Sequence, residues 1–306
     1  MSKKGFILWL FTETPLHAGM GSGLGEVDLP LQRERTTGLP FIQASGIKGA
    51  LRAHLTAQGS DKETLKALFG PDTESAHEHA GALAVSDARL LLFPVRSLAG
   101  VWAWTTAPMV WERLRRDIER FKTNGSSSSA PASLGEKIDK PIVKPKAPIL
   151  LQDSKLILED MAYEVSHTDV LAQVGEWLTK NAFEKGSYWE KELQNHLAVL
   201  PDEEFEFFTE NATEVITRVR IDQATKTVQE GALWTEELLP SETLLYVAGI
   251  VEDSHERKTE NGNSLPLYEA SKLLEKIREY TDEKRLQLGG DSTLGRGWCY
   301  AKLMLL

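Results

Sequence analysis

The hydrophobic positions of this 306-residue chain fall mostly into short runs and alternating stretches, with a few helical stripes between them. Residues 5–14 (GFILWLFTET) form a nearly continuous apolar run, the pattern of a buried strand. Alternation over 212–222 (ATEVITRVRID) predicts a strand that leads into a hairpin tip. Further strand patterns occupy 82–97, 101–106, 156–166 and 241–252, and a last one follows the glycine-rich stretch that ends at residue 298. Helical periodicity is clear over 44–57, where Ile47, Ala50, Leu51 and Leu55 share a face and Ser45 is placed to cap the N-terminus. Helices are also predicted over 109–121, 169–184, 188–198 and 265–280, and a short hairpin around Thr37 and Gly38. Strands and helices in this order, without a βαβ nucleotide fingerprint, predict an α+β sheet with helices on one face.

Two stretches break the pattern. NGSSSSAPAS (124–133) and PIVKPKAP (141–148) offer Ser, Pro and Lys where a core needs apolar side chains, so 123–150 reads as a flexible insertion within one domain spanning 1–306. No apolar run approaches the ~20 residues of a membrane helix. Glu13 interrupts the N-terminal run and no small-residue cleavage site follows, which favours a strand over a signal peptide. The single cysteine, Cys299, excludes an internal disulfide framework and a cysteine-based zinc cage, and suits a cytoplasmic setting.

A formal net charge of −10 argues against a polyanion partner until its distribution is considered. Residues 1–150 carry 19 Lys and Arg against 15 Asp and Glu, whereas 151–306 carry 16 against 30. One half can face phosphates while the other keeps the particle soluble. The phosphate loop GxxxxGK[ST], the dinucleotide turn GxGxxG at the opening loop and the nucleophile elbow GxSxG are all absent. His77-Glu78-His79 offers metal-ligating side chains but lies in a polar stretch, and Asp253-Ser254-His255-Glu256 reads as a solvated loop.

Three features carry chemistry. GMGSGLGEVD (19–28) places glycine at every second position and then delivers Glu26 and Asp28, with His17 upstream and Arg33 and Arg35 downstream. IQASGIKGALRAHL aims a helix N-terminus with Ser45, Lys48 and Arg52 nearby, an arrangement suited to an anion. LGGDSTLGRGW (288–298) sets Ser292, Thr293 and Arg296 among Gly289, Gly290, Gly295 and Gly297, where backbone N–H groups can form an anion nest or simply a tight turn. Two phosphate-friendly loops and a basic segment point to a polyanion.

The PLHAG segment (15–19), LPFIQASGIKGALR and GGDSTLGRGW together resemble the RAMP superfamily of CRISPR systems. Within it the chain is most similar to the backbone subunit of the type III-B (Cmr) effector complex, through the Asp28 loop and IDQATKTVQEGALWTEELLP (221–240). The resemblance implies a modified RNA-recognition-motif (ferredoxin-like) core with helical insertions and a protruding thumb β-hairpin, with 221–240 as thumb and following segment. It also implies copies stacked head to tail on a guide RNA, other complex subunits as partners, and cleavage of target RNA beside each thumb. Asp28 matches the family's cutting and metal-holding aspartate, His17 and Glu236 its supporting groups, and a divalent ion, Mg or Mn, its cofactor. Some members carry a tyrosine two residues after the glutamate; here that position is Leu238. RNA needs little else, because its own 2′-OH is a nucleophile once aligned and deprotonated. Two readings compete: a non-catalytic guide-binding scaffold, and a stand-alone endoribonuclease that processes the guide precursor.

Overall fold

The computed structural model describes residues 2–306 except 24, 72–79, 124, 125, 127, 136, 153, 255, 256, 259–263, 266 and 267. In chain order, the first half comprises β1 (Lys3–Thr12), β2 (Phe41–Ile42), α1 (Ala44–Ala57), α2 (Lys62–Phe69), β3 (Leu83–Val85), β4 (Ala88–Arg96), β5 (Trp102–Thr106), α3 (Pro108–Phe121), β6 (Ile142–Val143) and β7 (Leu150–Leu151). There follow β8 (Lys155–Leu158), β9 (Met161–Glu164), α4 (Asp169–Ala182), α5 (Tyr188–His196), β10 (Leu197–Val199), α6 (Asp202–Asn211), β11 (Glu214–Ile221) and β12 (Val228–Leu238). The chain closes with β13 (Leu244–Glu252), β14 (Arg257–Lys258), β15 (Ser264–Leu265), α7 (Ala270–Thr281), β16 (Lys284–Gln287) and β17 (Trp298–Leu305).

The central sheet runs β16-β17-β1-β13-β4-β5-β10-β6, with β2 on β4 and β3 on β13. β1 pairs antiparallel with both β13 and β17, which explains its apolar run. Because successive strand side chains point to opposite faces, Phe6, Leu8 and Leu10 enter one core while Ile7, Trp9 and Phe11 enter another. Helices therefore cover both faces, and the expectation of one covered face is corrected. Ile47, Leu51 and Leu55 of α1, with Leu273 and Ile277 of α7, pack on the first face. Trp111, Leu114 and Ile118 of α3 and Leu171, Val174 and Leu178 of α4 pack on the second.

Other expectations change in detail. The strand pattern at 156–166 is a hairpin, β8–β9, turned at Glu159 with φ 47°. Helix α7 begins at Ala270, and α2 and α6, which the pattern did not reveal, are short helices of 8 and 10 residues. Within 123–150 the chain does contribute to the core: Leu134, Ile142, Val143, Ala147, Ile149 and Leu150 are buried, and β6 pairs antiparallel with β10. A few apolar residues, two adjacent pairs among them, are enough to dock the segment, which averaged composition hides. Ser45 is not the cap of α1. Gln43 occupies that position without a side-chain bond, and Asp87 Oδ1, in the turn between β3 and β4, accepts from Ala44 N at 2.7 Å. A residue already inside the first turn is past the capping position.

β11 and β12 form a separate two-stranded hairpin, paired from Glu214↔Leu238 to Ile221↔Val228, with its tip at 222–227. Val215, Val219, Ile221, Val228 and Leu233 are exposed on it, so its outer part projects from the body, while Glu236, Glu237 and Leu238 at its base are buried. The hairpin thus begins at Glu214, ahead of the 221–240 segment. No helix among the described residues is long and apolar enough to cross a membrane.

Candidate RNA-cleaving site

The loop after β1 is laced onto the base of the hairpin. Leu16 bridges Leu239, Leu29 bridges Glu236, and Leu29 N and Glu237 N exchange hydrogen bonds with Thr235 O and Leu29 O at 3.0 Å each. Residues 28–31 thereby run beside the last turn-free stretch of β12. Buried Glu237 locks this join: its carboxylate accepts from Leu31 N (2.8 Å), Arg33 Nη2 (2.5 Å) and Thr213 Oγ1 (2.9 Å). Arg33, proposed from sequence as part of a basic segment, is therefore an internal counterion.

Asp28 sits at the start of this ribbon, exposed. Its Oδ2 accepts from Thr235 N at 2.8 Å and Thr235 Oγ1 at 2.9 Å, while Asp28 N donates to the same hydroxyl at 3.0 Å. The backbone bond first, and the hydroxyl bond second, hold the Asp28 carboxyl below its ordinary pKa. It is a carboxylate at any physiological pH. Glu26 is also exposed, two residues earlier.

His17 and Glu236 form a neighbouring cluster. His17 Nδ1 lies 2.7 Å from Glu237 O; since a carbonyl only accepts, the ring proton sits on Nδ1 and Nε2 keeps its lone pair when the ring is neutral. Glu236 Oε1 is 3.8 Å from the same Nδ1, and Glu236 is 2% exposed. Arg218 Nη1 donates to Glu236 Oε2 at 3.0 Å and to both oxygens of Asp291 at 3.0–3.1 Å. Burial would raise the pKa of Asp291, but its side-chain contacts with Glu236 and with the Arg218 cation lower it. Strand alternation puts Thr235 and Glu236 on opposite faces of β12, so Asp28 and the His17–Glu236 pair approach one strand from different sides. Arg218, Thr235 and Asp291 went unremarked in the sequence. The signal available was the register of an alternating hairpin, which places Arg218 opposite Trp234 and beside Glu236.

Part of the anion-binding set, Ser45, Gly289 and Gly290, meets in one open cleft of about 470 Å³. His17, Gly19 and Gly21, Gln43, Ser45 and Gly46 at the start of α1, and Leu288, Gly289 and Gly290 of the terminal loop all line it. Lys48 and Arg52 do not. Lys48 Nζ donates to Leu83 O at 3.0 Å and burial lowers its pKa; Arg52 Nη1 reaches Pro71 O at 3.4 Å. The terminal-loop glycines divide into two groups. A Cβ on Gly289 would meet His17 O at 2.3 Å and one on Gly297 would meet Leu288 O at 1.9 Å, so both serve the chain's own packing. Gly295, at φ 74°, faces open space, and Thr293 is exposed on the adjoining single turn. Arg296 carries a buried Nε without a hydrogen-bond partner, and its charge acts on Glu214. Leu238 is fully buried, so that position offers no site group.

Among the described residues no three His, Cys, Asp or Glu side chains converge as a metal cage. Asp28 is nevertheless a suitable single ligand, with Oδ1 free of hydrogen bonds among the described residues, because Mg or Mn takes most of its ligands from water and phosphate. His77, His79, His255 and Glu256 lie outside the described residues. Asp253 is structural: its carboxylate accepts from Ala270 N at the start of α7 and from Ser2 N.

A family model described as the RAMP superfamily matches residues 9–300. The chain is 38% identical over 298 residues to the CRISPR system Cmr endoribonuclease Cmr4 of Pyrococcus furiosus, covering 96% of this chain and 94% of that one. It is 27% identical over 301 residues to the CRISPR system CMR subunit Cmr4 of Saccharolobus solfataricus, covering 93% and 91%. The crystal structure of oligomeric Cmr4 from Pyrococcus furiosus superposes with a TM-score of 0.73 at 30% identity, over 99% of both chains. A chain of the type III-B Cmr-beta complex bound to cognate target RNA shares the fold, with a TM-score of 0.72 at 21% identity, covering 99% of this chain and 97% of that one.

Proposed function

The chain belongs to the RAMP superfamily, and from that premise we propose that it is a guide-RNA-binding backbone subunit of a type III-B CRISPR effector complex that cuts target RNA through Asp28. One observation carries the reading: the exposed Asp28 carboxylate is clamped at the base of a projecting hairpin, beside a cleft built from two glycine loops and a helix N-terminus. Guide phosphates lie along this cleft, attracted by the N–H groups at Ser45 and Gly46 and by the helix dipole. The hairpin enters the guide–target duplex and parts it, which leaves one target linkage unstacked beside Asp28. Copies stacked head to tail repeat this arrangement and set the interval between cuts.

At that linkage the 2′-oxygen bonds to phosphorus as the P–O5′ bond breaks, and the 5′-oxygen leaves as a hydroxyl with a proton from water. The chain has three tasks: to align the 2′-OH with the phosphorus, to take its proton, and to offset charge on the phosphate. Asp28, always ionised, can accept the proton at Oδ1. His17, with Nδ1 engaged by Glu237 O, presents Nε2 as a second group for proton transfer near the cleft. Glu236, held by Arg218, stands 3.8 Å from His17 Nδ1 on the side of the ring away from Nε2. A divalent cation held by Asp28 would take Oδ1 in place of the proton-accepting role and would supply charge neutralisation at the reacting phosphate.

In an assembled complex, Asp28→Asn should lower target cleavage by a factor on the order of 10²–10⁴ while guide and target affinities stay within about twofold. Glu26→Gln should change little. Chelation of divalent metal should stop the wild-type reaction, and the 5′ product should end in a 2′,3′-cyclic phosphate. Full cleavage at regular intervals by a complex made only with Asp28→Asn copies would leave the scaffold reading in its place.

A further inference from the structure

We propose that Thr235 is the positioning residue of Asp28: it fixes one carboxylate oxygen so that the other alone meets the RNA. The inference rests on the reading of Asp28 as the cutting carboxylate. An exposed aspartate at the end of a loop with glycine at 19, 21, 23 and 25 would ordinarily sample several rotamers. Here Oδ2 is held twice, by Thr235 N at 2.8 Å and by Thr235 Oγ1 at 2.9 Å. The same hydroxyl accepts from Asp28 N at 3.0 Å, so it works as donor and acceptor at once. Oδ1 is left without a hydrogen bond among the described residues, and it is the oxygen available for chemistry.

The hydroxyl is not what attaches the loop. The backbone bonds Leu29 N to Thr235 O and Glu237 N to Leu29 O, together with the Glu237 carboxylate on Leu31 N and Arg33, do that without it. The loop therefore stays in place when the hydroxyl is removed, and the Thr235 amide still reaches Oδ2 by one bond. What the hydroxyl adds is a second point of restraint, which decides the direction of the carboxylate plane. Proton transfer and charge placement both depend on that direction, and misplacement of a reacting group by about 1 Å costs roughly 100-fold. Threonine also suits its position, since a β-branched residue is at home in a strand and half-buried here.

The experiment compares complexes assembled with guide RNA and uniformly wild-type, Thr235→Val, Thr235→Ser or Asp28→Asn copies. It reads single-turnover target cleavage alongside guide and target Kd. Thr235→Val keeps shape and amide but loses the hydroxyl, and should cut about 10- to 100-fold more slowly, the range for one charge-assisted hydrogen bond. Thr235→Ser restores the hydroxyl and should return to within about threefold of wild type, with every Kd within about twofold. Wild-type cleavage by Thr235→Val beside an inactive Asp28→Asn would overturn the positioning role and leave the function standing. An equal loss in Thr235→Val and Thr235→Ser, or a matching loss of RNA affinity, would also overturn it, because the side chain would then serve folding or binding. Full cleavage by Asp28→Asn would instead overturn the function, and the positioning role with it.

Discussion

Arg218 and Asp291 stand 73 residues apart in the chain, yet one guanidinium nitrogen donates to both carboxylate oxygens of Asp291 and to Glu236 as well. That contact ties the hairpin to the terminal glycine loop. It also keeps two adjacent carboxylates, one of them almost fully buried, beside a cation. The Arg218 side chain further lies over the Trp234 ring, 5.4 Å from its centroid.

Arg218→Ala should therefore cost ~1–3 kcal/mol of stability at pH 7, by urea denaturation of the isolated chain. The folded pKa of Asp291 is lowered, so its contribution is present above the unfolded value of 3.8 and fades as pH falls through the folded one. The gap between wild type and variant should narrow in acid. A gap of equal size at pH 3 and pH 7 would show that packing on Trp234, not charge, carries the effect.

Glu242 has a half-buried carboxyl whose pKa is pushed up to about 7, first by burial and then by the charge of Glu214. Above the unfolded value of 4.5 the native state binds the extra proton, so this residue makes stability decline as pH rises from about 4.5 to about 7. Glu242→Gln should flatten that part of the Tm–pH curve and raise Tm at pH 8. An unchanged slope in the variant would assign the decline to other groups.

The terminal-loop glycines should separate by cause. Gly297→Ala drives a Cβ into Leu288 O and should lower stability by more than ~2 kcal/mol, with Gly289→Ala similar through His17 O. Gly295→Ala meets nothing and carries only the cost of a positive φ, roughly 1 kcal/mol. Differential scanning calorimetry of the three variants tests the order. If Gly295→Ala alone then weakens guide RNA binding while its Tm falls by no more than the positive-φ cost, the RNA passes over that residue.

Lys48 is committed to the Leu83 carbonyl. Lys48→Ala should thus lower stability modestly, by about 1 kcal/mol for one hydrogen bond. The log–log salt dependence of guide binding should move by much less than the unit that a phosphate contact carries. A full unit of change would mean that Lys48 leaves Leu83 to meet the RNA.

What the sequence determined by itself were the features that depend on neighbours along the chain. The apolar run of β1, the stripe of α1 and the alternation of β11 are local, so their type and much of their extent are legible. The residues matching Asp28, His17 and Glu236 could be named from a resemblance in short motifs, without any knowledge of their surroundings. Only the tertiary structure decided which groups those residues meet. Thr235 holds Asp28 from 207 residues away, and Asp87 takes the capping place expected of Ser45 from 43 residues away. Lys48, read as near an anion site, and Arg33, read as part of a basic segment, bond in this structure to a carbonyl and a buried carboxylate of the chain itself. The reason is physical. A hydrogen bond or ion pair depends on angstrom-scale proximity, which periodicity does not encode, and a buried polar group takes the nearest partner that the closed fold supplies.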